Sequence, residues 1–150
     1  MLFDRIVVVG LRASSSPSTG ADSVWIAIAD ASGIELSNPS TRHTALAEIA
    51  AATDSGGLTL IGVDFSLGFP RGTAEALGLV GQPWRAMWEL LGADVTDDER
   101  NLNNRFAVAS GLNAKIGDDS AGPFWGCPPA RRTAHLTSTK PARSAAWPLE

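Results

Sequence analysis

Two uninterrupted apolar runs, RIVVVG at residues 5–10 and LTLIGVDF at 58–65, limit what this chain can become. Each is short and carries its one charge at or next to an end, Arg5 and Asp64, the pattern of a strand covered on both faces. Such a sheet needs helices on both sides. Between the runs, LRASSSPSTGAD (11–22) reads as a surface loop by its Ser, Pro and Gly content. SVWIAIAD (23–30) follows as a second strand, and ASG (31–33) turns the chain into a third around GIELS. The sheet therefore opens antiparallel. Ser40 or Thr41 can cap the next helix, on which Leu46, Ile49, Ala50 and Thr53 share one face, and Gly56 and Gly57 stop it. Strand, hairpin, helix and a central strand at 58–65 describe a mixed α/β sheet.

The second half is helical and then irregular. GTAEALGLV (72–80) holds a helical turn or two, and Trp84 and Trp88, four apart, put two indoles on one helix face with Leu91 beyond. They read as core. Thr96 and Glu99 make a capping box for a further helix with a stripe of Leu102, Phe106, Ala109, Leu112 and Ile116, ended by Gly117. Pro123, Pro128, Pro129, Pro141 and Pro148 then exclude a strand or long helix. Residues 1–120 are thus expected to form a core and 121–150 an extended, Pro-rich tail.

Charge separates the same segments. Residues 1–120 hold 8 basic and 15 acidic residues, a charge of −7, whereas 121–150 hold 4 and 1, a charge of +3. The acidic core speaks against a general nucleic-acid binder and leaves the tail as a local basic patch. A single cysteine, Cys127, excludes an internal disulfide framework and a cysteine-only zinc site. No stretch approaches the roughly 20 apolar residues of a membrane helix, and the N-terminus lacks a signal-peptide profile. The expected location is cytoplasmic, without a membrane partner.

Asp64 is the leading candidate for chemistry, because it stands at the carboxyl end of a strand, where open α/β sheets bind ligands. Two roles are open to it: a metal ligand, or an acceptor for backbone amides of a neighbouring loop. Asn101, Asn103, Asn104 and Arg105 crowd NLNNRF, although asparagine is a poor helix former. Ligand contact and loop capping both remain possible roles for them. VVVGLRASSSPSTG lacks GxGxxG and GxxxxGK[ST], so it reads as a loop rather than a phosphate cradle. Cys127 and His135 could pair as nucleophile and base, but a lone cysteine between Gly126 and Pro128 reads first as structural.

The stretches ASSSPSTGADSVWIAIA, GVDFSLGFP, PWRAMWELL, NNRFAVASGLN and GPFWGCPPARRT, in this order, resemble an uncharacterised bacterial domain family with a ribonuclease H-like fold. The resemblance spans nearly the whole chain, and members of that family are typically much longer. It implies a three-layer α/β domain with a mixed sheet: an antiparallel meander, a helix and a parallel central strand. It also implies that this chain stops before the strand and helix that complete the sheet. An unpaired strand is an association liability, so a homo-oligomer or limited stability is expected.

In ribonuclease H-like enzymes, acids on the first and fourth strands hold divalent metals for phosphodiester cleavage. The related family reads Asp-Trp-Ser-Ala where the first strand ends. Here Gly10 stands for the acid, Leu11 for the aromatic and Arg12 for the serine, while Asp64 matches the second acid. Paired metals about 3.5–4 Å apart need bridging carboxylates, and Arg12 disfavours a cation beside it. The resemblance therefore implies a non-catalytic or degenerate domain. The alternative is a Mg- or Mn-dependent nuclease or phosphotransfer enzyme using Asp64. In that case Arg12, Ser14, Asn104 and Arg105 would contact a nucleic acid or a phosphorylated small molecule.

Overall fold

In the computed structural model, which describes residues 2–54, 56–117 and 122–140, the β-branched runs form the strands their patterns require. The order is β1 (Arg5–Gly10), β2 (Trp25–Asp30), β3 (Gly33–Ser37), α1 (Arg42–Asp54) and β4 (Thr59–Val63). They make a four-stranded mixed sheet ordered β3-β2-β1-β4. β1 pairs antiparallel with β2 and parallel with β4, and β2 pairs antiparallel with β3. The chain divides into two compact units, Met1–Ser66 with Asp97–Asn103, and Leu67–Thr96 with Asn104–Glu150.

Register decides which side chains share a face of the first unit's sheet. Val7 lies opposite Ile28 and Ile61, and Val9 opposite Ile26 and Val63. This face is covered by α1: Val7, Val9, Ile26 and Ala45 are fully buried together, with Ile49 and Ala52 against them. The inward stripe of α1 is thus Ala45, Ile49 and Ala52, and Leu46 points out to solvent. Arg5 crosses the same face and donates from Nη1 to the Ala52 carbonyl at 2.5 Å, near the helix C-terminus where a cation is favoured.

The opposite face carries Ile6 and Val8 from β1 over Ala29 and Ala27 of β2. β3 adds Ile34 and Leu36, and β4 adds Leu60 and Gly62.

Three expectations are corrected here. Among the described residues β1 holds the middle of the sheet and β4 its end, so 58–65 is not a central strand. Leu60 and Ile61 are both more than two-fifths exposed and Val8 more than half, so neither β4 nor β1 is covered on both faces. The capping box at Thr96 does not open a helix: α4 runs Arg105–Ile116, and Leu102 is exposed. Asp98 explains the delay, because its Oδ1 accepts the backbone N–H groups of Arg100 and Leu102 at 2.9 and 2.7 Å and closes a turn. Asn101 then takes φ 67°, a left-handed conformation that asparagine tolerates and a helix does not.

The second unit holds α2 (Thr73–Ala76), α3 (Pro83–Asp94), α4 and a three-residue 3-10 helix, Pro129–Arg131. Pro83 opens α3 at a position where its missing N–H costs nothing. Met87 is the buried residue of α3, whereas Trp84, expected in the core, is exposed. The indoles of Trp84 and Trp88 both donate to the Leu67 carbonyl at 3.2 Å. Residues 122–140 are held to α4 by Asn113, which is fully buried and donates to the carbonyls of Phe124 and His135 at 2.8 and 2.6 Å. The expected boundary at 120/121 and the end of the tail, 141–150, lie outside the described residues.

Candidate functional site

Asp64 directly follows β4, and its backbone N–H continues the ladder by donating to the Val9 carbonyl at 3.3 Å. The parallel register therefore brings the carboxyl ends of β1 and β4 side by side. Asp64 Oδ1 accepts the Leu11 N–H at 3.0 Å, satisfying the first amide beyond β1. A Cβ placed on Gly10 would lie 3.6 Å from Asp64 Oδ2, an ordinary van der Waals contact. Position 10 and Asp64 thus face each other, and glycine leaves that space unfilled. The carboxylate itself is exposed.

The loop beyond Leu11 is fixed by a residue to which the sequence reading gave no role. Arg42, at the start of α1, sends Nη1 to the carbonyls of Ser14 and Arg12 at 2.8 and 3.1 Å. Its other guanidinium nitrogens pair with both Asp97 oxygens, at 2.5 and 2.7 Å. Nη2 also donates to the Asn101 carbonyl at 2.9 Å, and Asn101 Oδ1 accepts the Arg42 backbone N–H at 2.8 Å. Arg42 occupies the first turn of α1 beside the cap, where Thr41 Oγ1 accepts the Thr44 N–H at 3.1 Å. A planar fork with five donors can join three segments where a lysine could not. The signal available in the sequence was an arginine beside a helix cap, which alone does not name its partners.

The residues proposed to contact substrate have these places. The Arg12 side chain is exposed, and its carbonyl is engaged by Arg42. Ser14 Oγ donates to the Ser16 carbonyl at 2.7 Å, closing a local turn. Asn104 and Arg105 belong to the second unit. There Asn104 accepts the Thr96 N–H and donates to the Asp94 carbonyl, both at 2.9 Å, joining the end of α3 to the start of α4. The Arg105 guanidinium lies 4.5 Å from the centre of the Phe106 ring, a cation–π contact. Asp64 holds the amide of Leu11, next to Arg12 in the chain, while Ser14 and Asn104 have structural partners of their own.

Among the described residues, no three His, Cys, Asp or Glu side chains cluster closely enough to hold a metal ion. Cys127 is buried, with its thiol 3.9 Å from the Leu136 carbonyl and 4.0 Å from Ser138 Oγ. These are packing partners rather than a general base. No helix among the described residues is long and apolar enough to cross a membrane. Compared with known protein families, curated proteins and solved structures, the chain matches none of them.

Proposed function

We propose that the first unit is a ribonuclease H-like sheet domain with a degenerate metal site, serving as a non-catalytic scaffold or binding module. The observation that carries this reading is the facing of Gly10 and Asp64. An acid at position 10 would stand beside Asp64 and complete a carboxylate pair; with glycine there, Asp64 has the Leu11 amide to satisfy instead. The antiparallel meander β1-β2-β3, the helix and the parallel β4 support the reading, being the order that the resemblance implies. A hydrated Mg²⁺ held by one carboxylate keeps most of its waters and binds weakly.

Calorimetric titration with Mg²⁺ and Mn²⁺ tests this on the wild type and on Gly10→Asp, with circular dichroism to check folding. The wild type is expected to give no saturable heat, and the variant to gain a site that the further change Asp64→Asn removes. Saturable binding by the wild type that Asp64→Asn abolishes would favour the metal-dependent enzyme instead. A folded Gly10→Asp that binds no metal would remove the degenerate-site reading.

A further inference from the structure

The sheet face turned away from α1 has no charged or polar side chain on any of its four strands. Val8 is 55% exposed there, Ile34 75%, Leu36 66% and Leu60 43%. Trp25, opposite Gly10, extends the face at one end. The small residues Ala27, Ala29 and Gly62 lie between these larger ones, so the surface has a ridge along β3 and a trough along β2. Isolated apolar residues on a surface need no explanation, but a contiguous patch of this kind marks an interaction site.

We propose that this face is a homodimer interface in which two copies pack sheet against sheet about a two-fold axis. Three observations favour a second copy as the occupant. The strands themselves put no charge on the face, and the carboxylates Asp4 and Asp64 lie beyond the ends of β1 and β4, so its apolar centre meets itself without the like-charge repulsion that opposes self-association of most surfaces. Its exposed side chains offer on the order of 600 Å² per copy, so two copies bury about 1,200 Å² in total, the lower bound for a specific stable interface. A two-fold axis perpendicular to the strands lays every strand of one copy over the same strand of the other, so the whole face is covered at once. Aligned sheets pack with side chains interdigitated. The proposal does not depend on the role of Asp64. It also differs from pairing along the β4 edge, which would join strands by backbone hydrogen bonds and leave this face open.

Sedimentation velocity of the full chain between roughly 1 and 100 µM, which brackets micromolar dissociation constants, tests it. A concentration-dependent monomer–dimer equilibrium is expected. Leu36→Lys and, separately, Ile34→Lys should each weaken it at least tenfold while leaving the far-UV circular dichroism unchanged, since both side chains are exposed. Val80→Lys, at a 94% exposed position in the second unit, should leave the equilibrium intact. A chain that is monomeric throughout overturns the proposal. So does a dimer that neither lysine variant weakens, which would place the contact on the β4 edge or elsewhere.

Discussion

Asp30 shows what a carboxylate at a strand end does in this chain. It ends β2, and its Oδ1 accepts the Ser32 hydroxyl at 2.5 Å and the Ser32 N–H at 2.8 Å from the turn to β3. The hydroxyl first, and then the backbone N–H, hold its carboxyl below the ordinary value of about 3.8. A lowered folded-state pKa contributes stability that is complete above the unfolded value and is lost as pH falls through the folded one. The hairpin should therefore lose this contribution below about pH 4. Melting temperatures measured from pH 7 down to pH 2 should fall less steeply in Asp30→Asn than in the wild type, with the variant below the wild type at pH 7 and the two converging toward pH 2. Parallel acid slopes would contradict the assignment. Asp64 repeats the arrangement across two strands, binding the Leu11 amide from 53 positions along the chain. The local case was open to sequence reading as a turn. The distant one required the register of β1 and β4.

The helix α1 is placed by its two ends and one stripe. Thr41 caps it, Arg42 ties it to residues 12–14 and 97–101, and the Ala45–Ile49–Ala52 stripe meets the sheet. The Arg42 side chain is only 13% exposed, and its removal takes away five hydrogen bonds, two to Asp97 and one each to the Arg12, Ser14 and Asn101 carbonyls. Arg42→Ala should cost about 2–3 kcal/mol in urea unfolding, in the range for losing charge-assisted hydrogen bonds of a part-buried group. Arg42→Lys should recover less than half of that, because an ammonium cannot reproduce the fork. A lysine variant as stable as the wild type would show that charge alone acts there. The helix itself was readable from its cap and from Gly56 and Gly57, but its inward face was not. Leu46 is the larger apolar residue, yet it is the neighbouring Ala45 that is buried against the sheet.

The order of strands and of α1 was open to pattern reading because β-branched runs, a Gly-containing turn and a cap are local signals. What escaped it depends on distant partners. Asp98 and Asn101 turned a promising capping box into a loop that belongs with the sheet. The position of β4 at the sheet end could not be read from its composition, since an apolar strand looks alike at the centre and at an edge whose faces are partly open. Asn113 organises 122–140 through three hydrogen bonds, a role that nothing in SGLNAK announces. Of the candidate site, Asp64 was found from its place at a strand end, while its partner, the Leu11 amide, was not. That pairing can be observed directly by following the Leu11 amide and the Asp64 carboxyl carbon by NMR while Mg²⁺ is raised to about 10 mM, a level that fills weak sites for this ion. Both resonances should stay in place apart from a small linear drift shared with the rest of the chain. A saturable shift at Leu11 and Asp64, lost in Asp64→Asn, would mean that the carboxylate serves a metal rather than the loop.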